Sequence, residues 1–564
     1  MQRPLRRKPT PFQDSFSLKL LPLSWKQRTP WTCQRNGKSL RRLPLKKVEQ
    51  VLKKKKPYSA GGKDGLPNVF LKALGTPFCQ ALAALTSTCW RLGYFPDRFK
   101  IARTVCLRKP GKGSYNQAKA WRPIALLNTT GKLMEAVAAA RLSQLAEEKK
   151  LLPEIQMGFR KGRSTESALF LLTSQVEKIW KEGMVASLLS LDISGAYDRV
   201  LPNCLKQSLE RKGIPSWLIS WILSFCTSRS TTLVFDDTES PSMPIHCGVP
   251  QGSPLSPILF LFYISELHEV VHTPSSGVSA LGFADDTSLL AFGHSLKSNL
   301  LKLKSTHLKC LAWAKKNGMV FSPEKYELLH FSRRRSDNLQ LQLRLGDVVL
   351  QPKEEVRVLG VYFDAKLQWH KHQRIVLQKA QRPLSSLSRT SYSTWGFPLL
   401  TARIIFTAIL RSILSYAVGI WYSPLRKASN ISSLMTFQNK CLRLIGGAFK
   451  ATPVYLLESE LFLLPLDIYF KFRTACFLTS IQNSFLREFL STISDSISQY
   501  ASHLKKPLKG LASISLNWKF SWLEQLTTNQ ESSKKELQEL FMRQWELQWE
   551  ETRRRSYPAW EIFC

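Results

Sequence analysis

Two adjacent carboxylates lie between two apolar runs near the middle of the chain. Residues 279–283 and 287–292 are strand-like, and the turn Ala284-Asp285-Asp286 joins them. Two neighbouring carboxylates at a hairpin tip repel each other, so a positive group must neutralise them. A divalent metal ion does this best, whereas a solvated Asx turn is the ordinary alternative. The segment therefore predicts a buried antiparallel hairpin with a candidate metal site at its tip.

A second acidic pair, Asp236-Asp237, shows how much the setting matters. It also follows an apolar residue, but the next residues, 238–241, are polar on one side. That pattern is typical of an exposed hairpin turn. We therefore interpret Asp236 and Asp237 as a solvated turn, because the two pairs differ in context and not in composition.

A third candidate carboxylate ends another strand-like run. Residues 185–191 are mostly apolar, and Asp192 follows them directly. A carboxylate at the rim of a sheet can be half desolvated and still reach a ligand, although a helix N-cap explains Asp192 alone equally well. With Asp285 and Asp286 it makes three carboxylates, which suit phosphoryl transfer by two metal ions about 3.5–4 Å apart. Magnesium is the expected metal because oxygen ligands fit its octahedral coordination, with manganese as an alternative.

A rigid loop lies between these acids in the sequence. Residues 248–257 read Gly-Val-Pro-Gln-Gly-Ser-Pro-Leu-Ser-Pro, in which two glycines and three prolines leave little conformational freedom. Gly252 lets the backbone approach a ligand closely, and the loop can place Gln251 against a nucleotide or a base pair. Taken alone, the loop is better explained as a rigid start of a helix without a ligand.

The surplus of basic residues indicates a polyanionic partner. The chain of 564 residues has 81 Lys and Arg against 41 Asp and Glu, a net charge of +40 at pH 7. Basic residues occur from Lys53 to Arg555, so the whole surface is expected to attract a phosphate backbone. Basic ribosomal and chromatin proteins are rarely this long or, at 44% hydrophobic residues, this apolar, which argues against a purely binding class.

The cysteines and the apolar runs argue against a cysteine-bound metal site and against a membrane or secreted protein. The 11 cysteines show no spacing typical of metal ligands, so we expect reduced thiols in an intracellular protein. Charges interrupt the apolar runs within about 18 residues, and the basic N-terminus lacks the apolar core of a secretory signal. We therefore expect no membrane span.

Taken in order, the motifs of this chain resemble those of one family, the reverse transcriptases of non-LTR (LINE-type) retrotransposons. The matching segments are Lys109-Pro110-Gly111 and residues 121–128, 158–165, 191–200, 248–257, 283–286, 321–325 and 358–363. Any one of these motifs is modest support, but their joint order over roughly residues 55 to 370 is specific. Weaker similarity at Ser415-Tyr416-Ala417 and at residues 446–449 indicates that a thumb is also present.

The resemblance implies an α/β (α+β) right-hand polymerase with fingers, palm and thumb. Its palm sheet is expected to be mainly antiparallel and packed on helices, with a helical C-terminal part. The expected divisions are a basic, loosely ordered extension at 1–45, fingers with the start of the palm at 46–184, the palm at 185–363, a helical thumb or connection at 364–480, and a helical tail at 481–564. The tail contains no recognisable ribonuclease H pattern.

The resemblance also implies roles for individual residues. Asp192, Asp285 and Asp286 would bind the metal ions, together with the backbone carbonyl of Ile193. Tyr197 lies where the family keeps a ring beneath the incoming sugar, which would exclude a 2′-hydroxyl. Residues expected to contact the nucleotide are Arg160, Arg122 and Lys109 at the triphosphate, and Gln251 and Gly252 at the nucleotide or template base.

Two further sites follow from the same motifs. Lys325 would protonate or neutralise the leaving pyrophosphate. Leu359 and Gly360 match the turn that holds the primer end. For each basic residue the plain alternative is a side chain that is solvated or follows a phosphate backbone.

The implied function is RNA-directed DNA polymerisation on an RNA template, from a DNA primer or target DNA, with deoxynucleoside triphosphates as substrates. A nuclear location follows from the substrate and the lysine run. The alternatives are a catalytically idle, nucleic-acid-binding relic and a mobile-intron maturase, although the basic splicing domain that a maturase predicts is not found. About 50 residues precede the fingers, too few for an endonuclease, so we expect a truncated copy of an element.

Overall fold

The computed structural model describes residues 43–235, 238–389, 396–423, 431–482, 484–503 and 533–556. Nearly all of the predicted basic extension, and the acidic pair Asp236-Asp237, lie outside these residues. The chain divides into two compact units. The first unit comprises Met1–Pro153, Ile193–Leu267 and Trp313–Val320, and the second comprises Glu154–Asp192, His268–Ala312 and Phe321–Cys564. The predicted domain boundaries stay predictions.

Strands and helices alternate over the first two thirds of the chain, and helices follow. The described strands are β1 (Ile101–Arg108), β2 (Trp121–Leu127), β3 (Val185–Leu191), β4 (Arg229–Phe235), β5 (Thr238–Glu239), β6 (Met243–Ile245), β7 (Val278–Phe283), β8 (Asp286–Gly293), β9 (Glu327–Phe331), β10 (Leu343–Leu345), β11 (Val348–Leu350), β12 (Glu355–Val358) and β13 (Val361–Asp364). The described α-helices are Leu45–Lys54, Asn68–Ala73, Gly75–Leu92, Thr129–Glu148, Thr165–Lys181, Pro202–Arg211, Ser216–Cys226, Ser256–Val271, Leu296–Lys316, His370–Arg389, Leu399–Ile405, Arg411–Leu414, Val418–Trp421, Ser432–Gly446, Val454–Glu460, Leu466–Gln482, Phe485–His503 and Lys534–Ser556.

The first unit contains a mixed sheet in the order β2-β1-β4-β5, with β6 also paired to β4. Strand β1 pairs antiparallel with β2 and parallel with β4. The hydroxyls of Thr104 and Thr231, on neighbouring strands, lie 2.8 Å apart in the interior and satisfy each other there. The buried apolar side chains of Ala102, Ala125 and Leu127 form a core cluster on this sheet.

The second unit contains a four-stranded antiparallel sheet in the order β7-β8-β3-β9. Its inner strand β3 is buried along almost its whole length, which is why its sequence is a continuous apolar run rather than an alternating one. Helix Thr165–Lys181 begins at Ser164, whose hydroxyl caps the Ser167 amide, and it packs on this sheet. The expected mixture of helix and antiparallel sheet, with a helical C-terminal part, is confirmed.

A helix near the C-terminal end packs against the same unit. The Tyr500 ring meets Phe292 edge to face at 5.3 Å, and its hydroxyl is 2.5 Å from Lys302 Nζ. The Ser498 hydroxyl donates to a carboxylate oxygen of Glu182 at 2.9 Å. Helix Phe485–His503 is therefore part of the second unit's core. Within the described residues, no helix is long and apolar enough to cross a membrane.

Strand β7 is closely packed at Gly282. A Cβ atom there would lie 2.3 Å from Cε1 of His268. His268 is fully buried, and its Nε2 is hydrogen-bonded to Thr287 Oγ1 at 3.3 Å. Burial lowers the pKa of His268 to about 3, so the ring is neutral. The ring occupies the space that any side chain at position 282 would need.

Replacing Gly282 by alanine should therefore destabilise the second unit by about 1–3 kcal/mol through overpacking. The free energy of unfolding in urea measures this loss. Gly113→Ala is the matched control, because no atom lies within 4 Å of the added Cβ atom at that position. Equal unfolding midpoints for the two variants would contradict the packing described for Gly282.

Candidate active site

Three aspartates lie at one end of the antiparallel sheet in the second unit. Asp192 directly follows β3, Asp285 lies in the turn between β7 and β8, and Asp286 is the first residue of β8. Strand β3 pairs with β8 so that Leu191 lies opposite Thr287, which places the end of one strand beside the start of the other. The tight turn requires a positive φ of 58° at Ala284. The pairing register therefore brings together the three carboxylates that the sequence predicted.

The carboxylates disfavour one another's charge. Burial, together with the neighbouring charges of Asp285 and Asp192, raises the pKa of Asp286 to about 6, although the charge of Lys325 lowers it. Burial also raises the pKa of Asp285, with Asp192 adding to the effect. Partly buried negative charges at one place need a cation nearby.

Lys325 supplies one such cation. Its Nζ lies 2.7 Å from Oδ2 of Asp192, and the Ser322 amide donates to the Asp192 carbonyl oxygen at 2.9 Å. The lysine side chain is 57% exposed, so solvent screens this ion pair. Lys325 is thus placed beside one carboxylate with its charge open to solvent. Its predicted role toward pyrophosphate stays a prediction.

The aspartates fit a divalent metal ion by chemistry, although they are not arranged as a finished ligand set. Within the described part of the chain, no three His, Cys, Asp or Glu side chains are placed to hold a metal ion. Asp192 is nevertheless close enough to raise the pKa of both Asp285 and Asp286, and carboxylate oxygens are the donors that hard cations prefer. The backbone carbonyl of Ile193 follows Asp192 directly in the chain, and its role as a ligand stays a prediction.

Gly158 lies against the turn between β7 and β8. A Cβ atom at Gly158 would be 2.5 Å from the Ala284 backbone nitrogen, and the Met157 amide donates to the Gly282 carbonyl at 2.7 Å. Gly158 was not among the predicted site residues, although it begins the motif at residues 158–165. Arg160 in the same segment is buried and contacts the Gln156 carbonyl oxygen at 3.4 Å.

The predicted primer turn joins β12 to β13. Leu359 and Gly360 have positive φ values of 46° and 92°. The Tyr416 hydroxyl donates to the Leu359 carbonyl oxygen at 2.7 Å, and the Tyr416 ring lies 3.2 Å from the position of a Cβ atom at Gly360. Tyr416 was not among the predicted site residues. Only the weak similarity at residues 415–417 could have pointed to it.

A cavity of about 920 Å³ in the second unit connects two of these features. Asp286 lines it, as do Leu359, Gly360 and Tyr416. The basic side chains Arg357 and Lys379 also line it. A cavity with a carboxylate, a strained turn and two cations at its walls can accept a phosphate-containing ligand.

The first unit holds the predicted nucleotide-contacting residues Tyr197, Gln251 and Gly252. The Tyr197 ring stacks on Phe260 with centroids 5.4 Å apart. The Val249 amide donates to the Tyr197 carbonyl at 2.8 Å, which ties the start of the 248–257 loop to the segment carrying the ring. These contacts hold Tyr197 and the loop together.

Two predicted phosphate-binding residues lie on or beside the first unit's sheet. Arg122 is exposed on β2, where it pairs with Leu107 of β1. Lys109 follows β1, and its Nζ donates to the Lys119 carbonyl at 3.0 Å. Its charge also lowers the pKa of Asp198, which burial raises more strongly. The structure leaves the triphosphate role of both residues a prediction.

Changing Tyr416 to phenylalanine should loosen the turn at Leu359 and Gly360, because the carbonyl oxygen of Leu359 loses its donor. A lost hydrogen bond of this kind costs about 0.5–1.5 kcal/mol. Hydrogen exchange of the amides in residues 359–361 should become faster by a corresponding factor. Tyr58→Phe is the control, since Tyr58 is 85% exposed. Unchanged exchange at the turn would show that Tyr416 does not hold it.

This chain is similar over part of its length to known proteins. Residues 107–363 match the family described as reverse transcriptase (RNA-dependent DNA polymerase). The chain is 25% identical over 411 residues to the probable RNA-directed DNA polymerase from transposon BS of Drosophila melanogaster, covering 72% of this chain and 45% of that protein. It is 27% identical over 411 residues to the RNA-directed DNA polymerase from mobile element jockey of the same organism, covering 72% and 44%.

A third relative is the Pol polyprotein from the type-1 retrotransposable element R1 of Bradysia coprophila, 25% identical over 404 residues, with 72% of this chain and 39% of that protein covered. Among solved structures, apo telomerase from Candida tropicalis matches with a TM-score of 0.36 at 12% identity, covering 79% of this chain and 73% of that one. The chain spans less than half the length of these three curated relatives. Residues 107–363 of this chain are thus similar to the reverse transcriptase family, and the curated relatives named here come from transposons and other mobile elements.

Proposed function

We propose that this chain is an RNA-directed DNA polymerase, which adds deoxynucleotides to a primer 3′-hydroxyl on an RNA template. The observation that carries the proposal is the convergence of Asp192, Asp285 and Asp286 at one end of a buried antiparallel sheet. The sheet pairing that holds them is independent of any ligand. Phosphoryl transfer from a triphosphate needs such a concentration of oxygen ligands for cations.

The three aspartates, with the Ile193 carbonyl, would hold two magnesium ions, and manganese is the alternative. When bound, the ions supply Lewis-acid activation of the primer hydroxyl and charge neutralisation on the triphosphate. Hard oxygen donors from carboxylates support this choice of metal.

Lys325 and the primer turn have separate tasks in the proposed reaction. The Lys325 ammonium lies beside Asp192 and is open to solvent, so it can neutralise or protonate the departing pyrophosphate. Leu359 and Gly360 would hold the primer end in the cavity that Asp286 also lines. Tyr416 keeps the turn in its strained conformation from behind.

Tyr197 would select deoxynucleotides. Its ring is backed by Phe260, so it cannot easily yield to an extra hydroxyl on the sugar. Gln251 and Gly252 would contact the nucleotide or template base, and Arg160, Arg122 and Lys109 the triphosphate. The surplus of basic residues supports binding of both the RNA template and the DNA primer or target. These nucleic-acid substrates favour a nuclear location.

Single Asp285→Asn and Asp286→Asn variants should lower the rate of primer extension by about 10³-fold or more, because metal-ion stabilisation of the reacting phosphate is worth several kcal/mol. The assay measures extension on an RNA template with magnesium and deoxynucleotides. Asp347→Asn is the control, since Asp347 is an exposed aspartate of the same unit. If neither the parent chain nor the control extends a primer that both bind, the chain is a nucleic-acid-binding relic.

Replacing Tyr197 by valine should raise the use of ribonucleotides relative to deoxynucleotides by roughly 10- to 200-fold, the range that one steric contact in a pocket can supply. The readout is the ratio of kcat/KM values for a ribonucleotide and its deoxynucleotide. Because both values come from one preparation, a partial loss of folded protein cancels. An unchanged ratio would remove Tyr197 from the sugar site.

A further inference from the structure

The loop that carries Gln251 is held from behind by a buried carboxylate. Glu135 lies on helix Thr129–Glu148 and is 0% exposed. Its Oε2 accepts a hydrogen bond of 2.5 Å from the Ser253 hydroxyl, and Ser253 is buried as well. The Ser253 oxygen in turn accepts from the Leu255 amide at 3.0 Å. One carboxylate therefore reaches, through Ser253, the start of helix Ser256–Val271.

Burying a carboxylate costs free energy unless it has hydrogen-bond partners or a counter-charge. The partners of Glu135 therefore indicate its role. Burial raises the pKa of Glu135, whereas the charge of Arg229 and the hydrogen bond from Ser253 lower it. Arg229 is 2% exposed and donates through Nη1 to the Phe225 carbonyl at 3.0 Å. Its Nε and Nη2 atoms and Oε1 of Glu135 have no hydrogen-bond partner within the described structure. Arg229, with Lys132 and Lys55, thus acts on Glu135 by charge, and Ser253 makes the specific contact.

The other side of the loop is held by backbone contacts. The Ala125 amide donates to the Gln251 carbonyl at 2.7 Å, and a Cβ atom at Gly252 would lie 2.4 Å from the Ala125 carbonyl oxygen. The Val249 amide is bonded to the Tyr197 carbonyl. Because Val249, Gln251 and Ser253 are each tied down, only a short stretch of the loop is left to move. Ser253 is the side-chain anchor nearest to Gln251, two residues along the chain.

We infer that Glu135 is a positioning residue, which holds Gln251 in its working orientation through the Ser253 hydroxyl. This inference rests on the proposed function, in which Gln251 contacts the incoming nucleotide. The hydrogen bond of Glu135 in this structure is to Ser253, and it interacts with Arg229 by charge. Its effect on the reaction passes through the loop, so it should alter the affinity for the nucleotide more than the chemical step.

The first experiment measures KM for a deoxynucleotide and kcat separately. Ser253→Ala removes the donor but leaves Glu135 and Arg229 as a balanced pair, and KM should rise about tenfold with a smaller change in kcat. Glu135→Gln keeps an acceptor for the hydroxyl but leaves Arg229 without its counter-charge. It should lower the melting temperature more than Ser253→Ala does, yet raise KM less.

A positioning role predicts that Ser253→Ala has the larger effect on KM and Glu135→Gln the larger effect on the melting temperature. If KM instead follows the melting temperature across Ser253→Ala and Glu135→Gln, Glu135 is merely structural and the inference is overturned. Glu148→Gln is the matched control, because Glu148 is an exposed glutamate on the same helix. Its KM and melting temperature should equal those of the parent chain.

A double variant tests whether the effect passes through Gln251. Gln251→Ala combined with Ser253→Ala should raise KM no more than Gln251→Ala alone, because the anchor then has nothing to position. If the increases in KM of the two single variants instead multiply in the double variant, Ser253 acts independently of Gln251, and the inference is overturned.

Hydrogen exchange of residues 249–255 supplies a readout that needs no activity. Exchange of the Leu255 amide should become faster in Ser253→Ala and stay near the parent rate in Glu148→Gln. If the parent chain extends no primer, the proposed function fails, and the exchange rates still decide whether the anchor exists. Unchanged exchange in Ser253→Ala would overturn the anchor, whatever the polymerase assay shows.

Discussion

The repulsion among Asp192, Asp285 and Asp286 is the constraint around which the second unit is built. Carboxylates avoid sharing a partly buried site unless the backbone holds them there. Here the pairing of β3 with β8 does so, and a turn with positive φ at Ala284 completes it. Burial of the two β strands supplies the stability that offsets the repulsion.

Close backbone approaches recur wherever a functional segment is held in place. Gly158 lies against the aspartate turn, Gly252 against Ala125, and Gly360 against Tyr416. In each case an added Cβ atom would meet its neighbour at or below 3.2 Å. Backbone placed this closely leaves few alternative loop conformations, which suits sites that must hold a ligand in one geometry. Such closely packed glycines occur in both units.

The strands that carry the three aspartates were predictable from local sequence patterns. The apolar run before Asp192 predicted β3, and the two runs around Asp285 and Asp286 predicted the β7–β8 hairpin. Periodicity is a local property, so it identifies strands and their ends well. The parallel pairing of β1 with β4 was not predicted, because these strands are separated by more than a hundred residues and no short-range signal specifies such a partner.

The sequence also did not predict the residues that act by holding other residues in place. Tyr416 and Glu135 do their work through the Leu359 carbonyl and the Ser253 hydroxyl, contacts that span 57 and 118 residues of chain. What the sequence alone determined is the chemistry: which acids stand at strand ends, and which loop is rigid. What only the tertiary structure decided is which buried side chains hold those elements in place. The reason is that burial and hydrogen-bond partners arise when distant segments pack, and no local pattern encodes them.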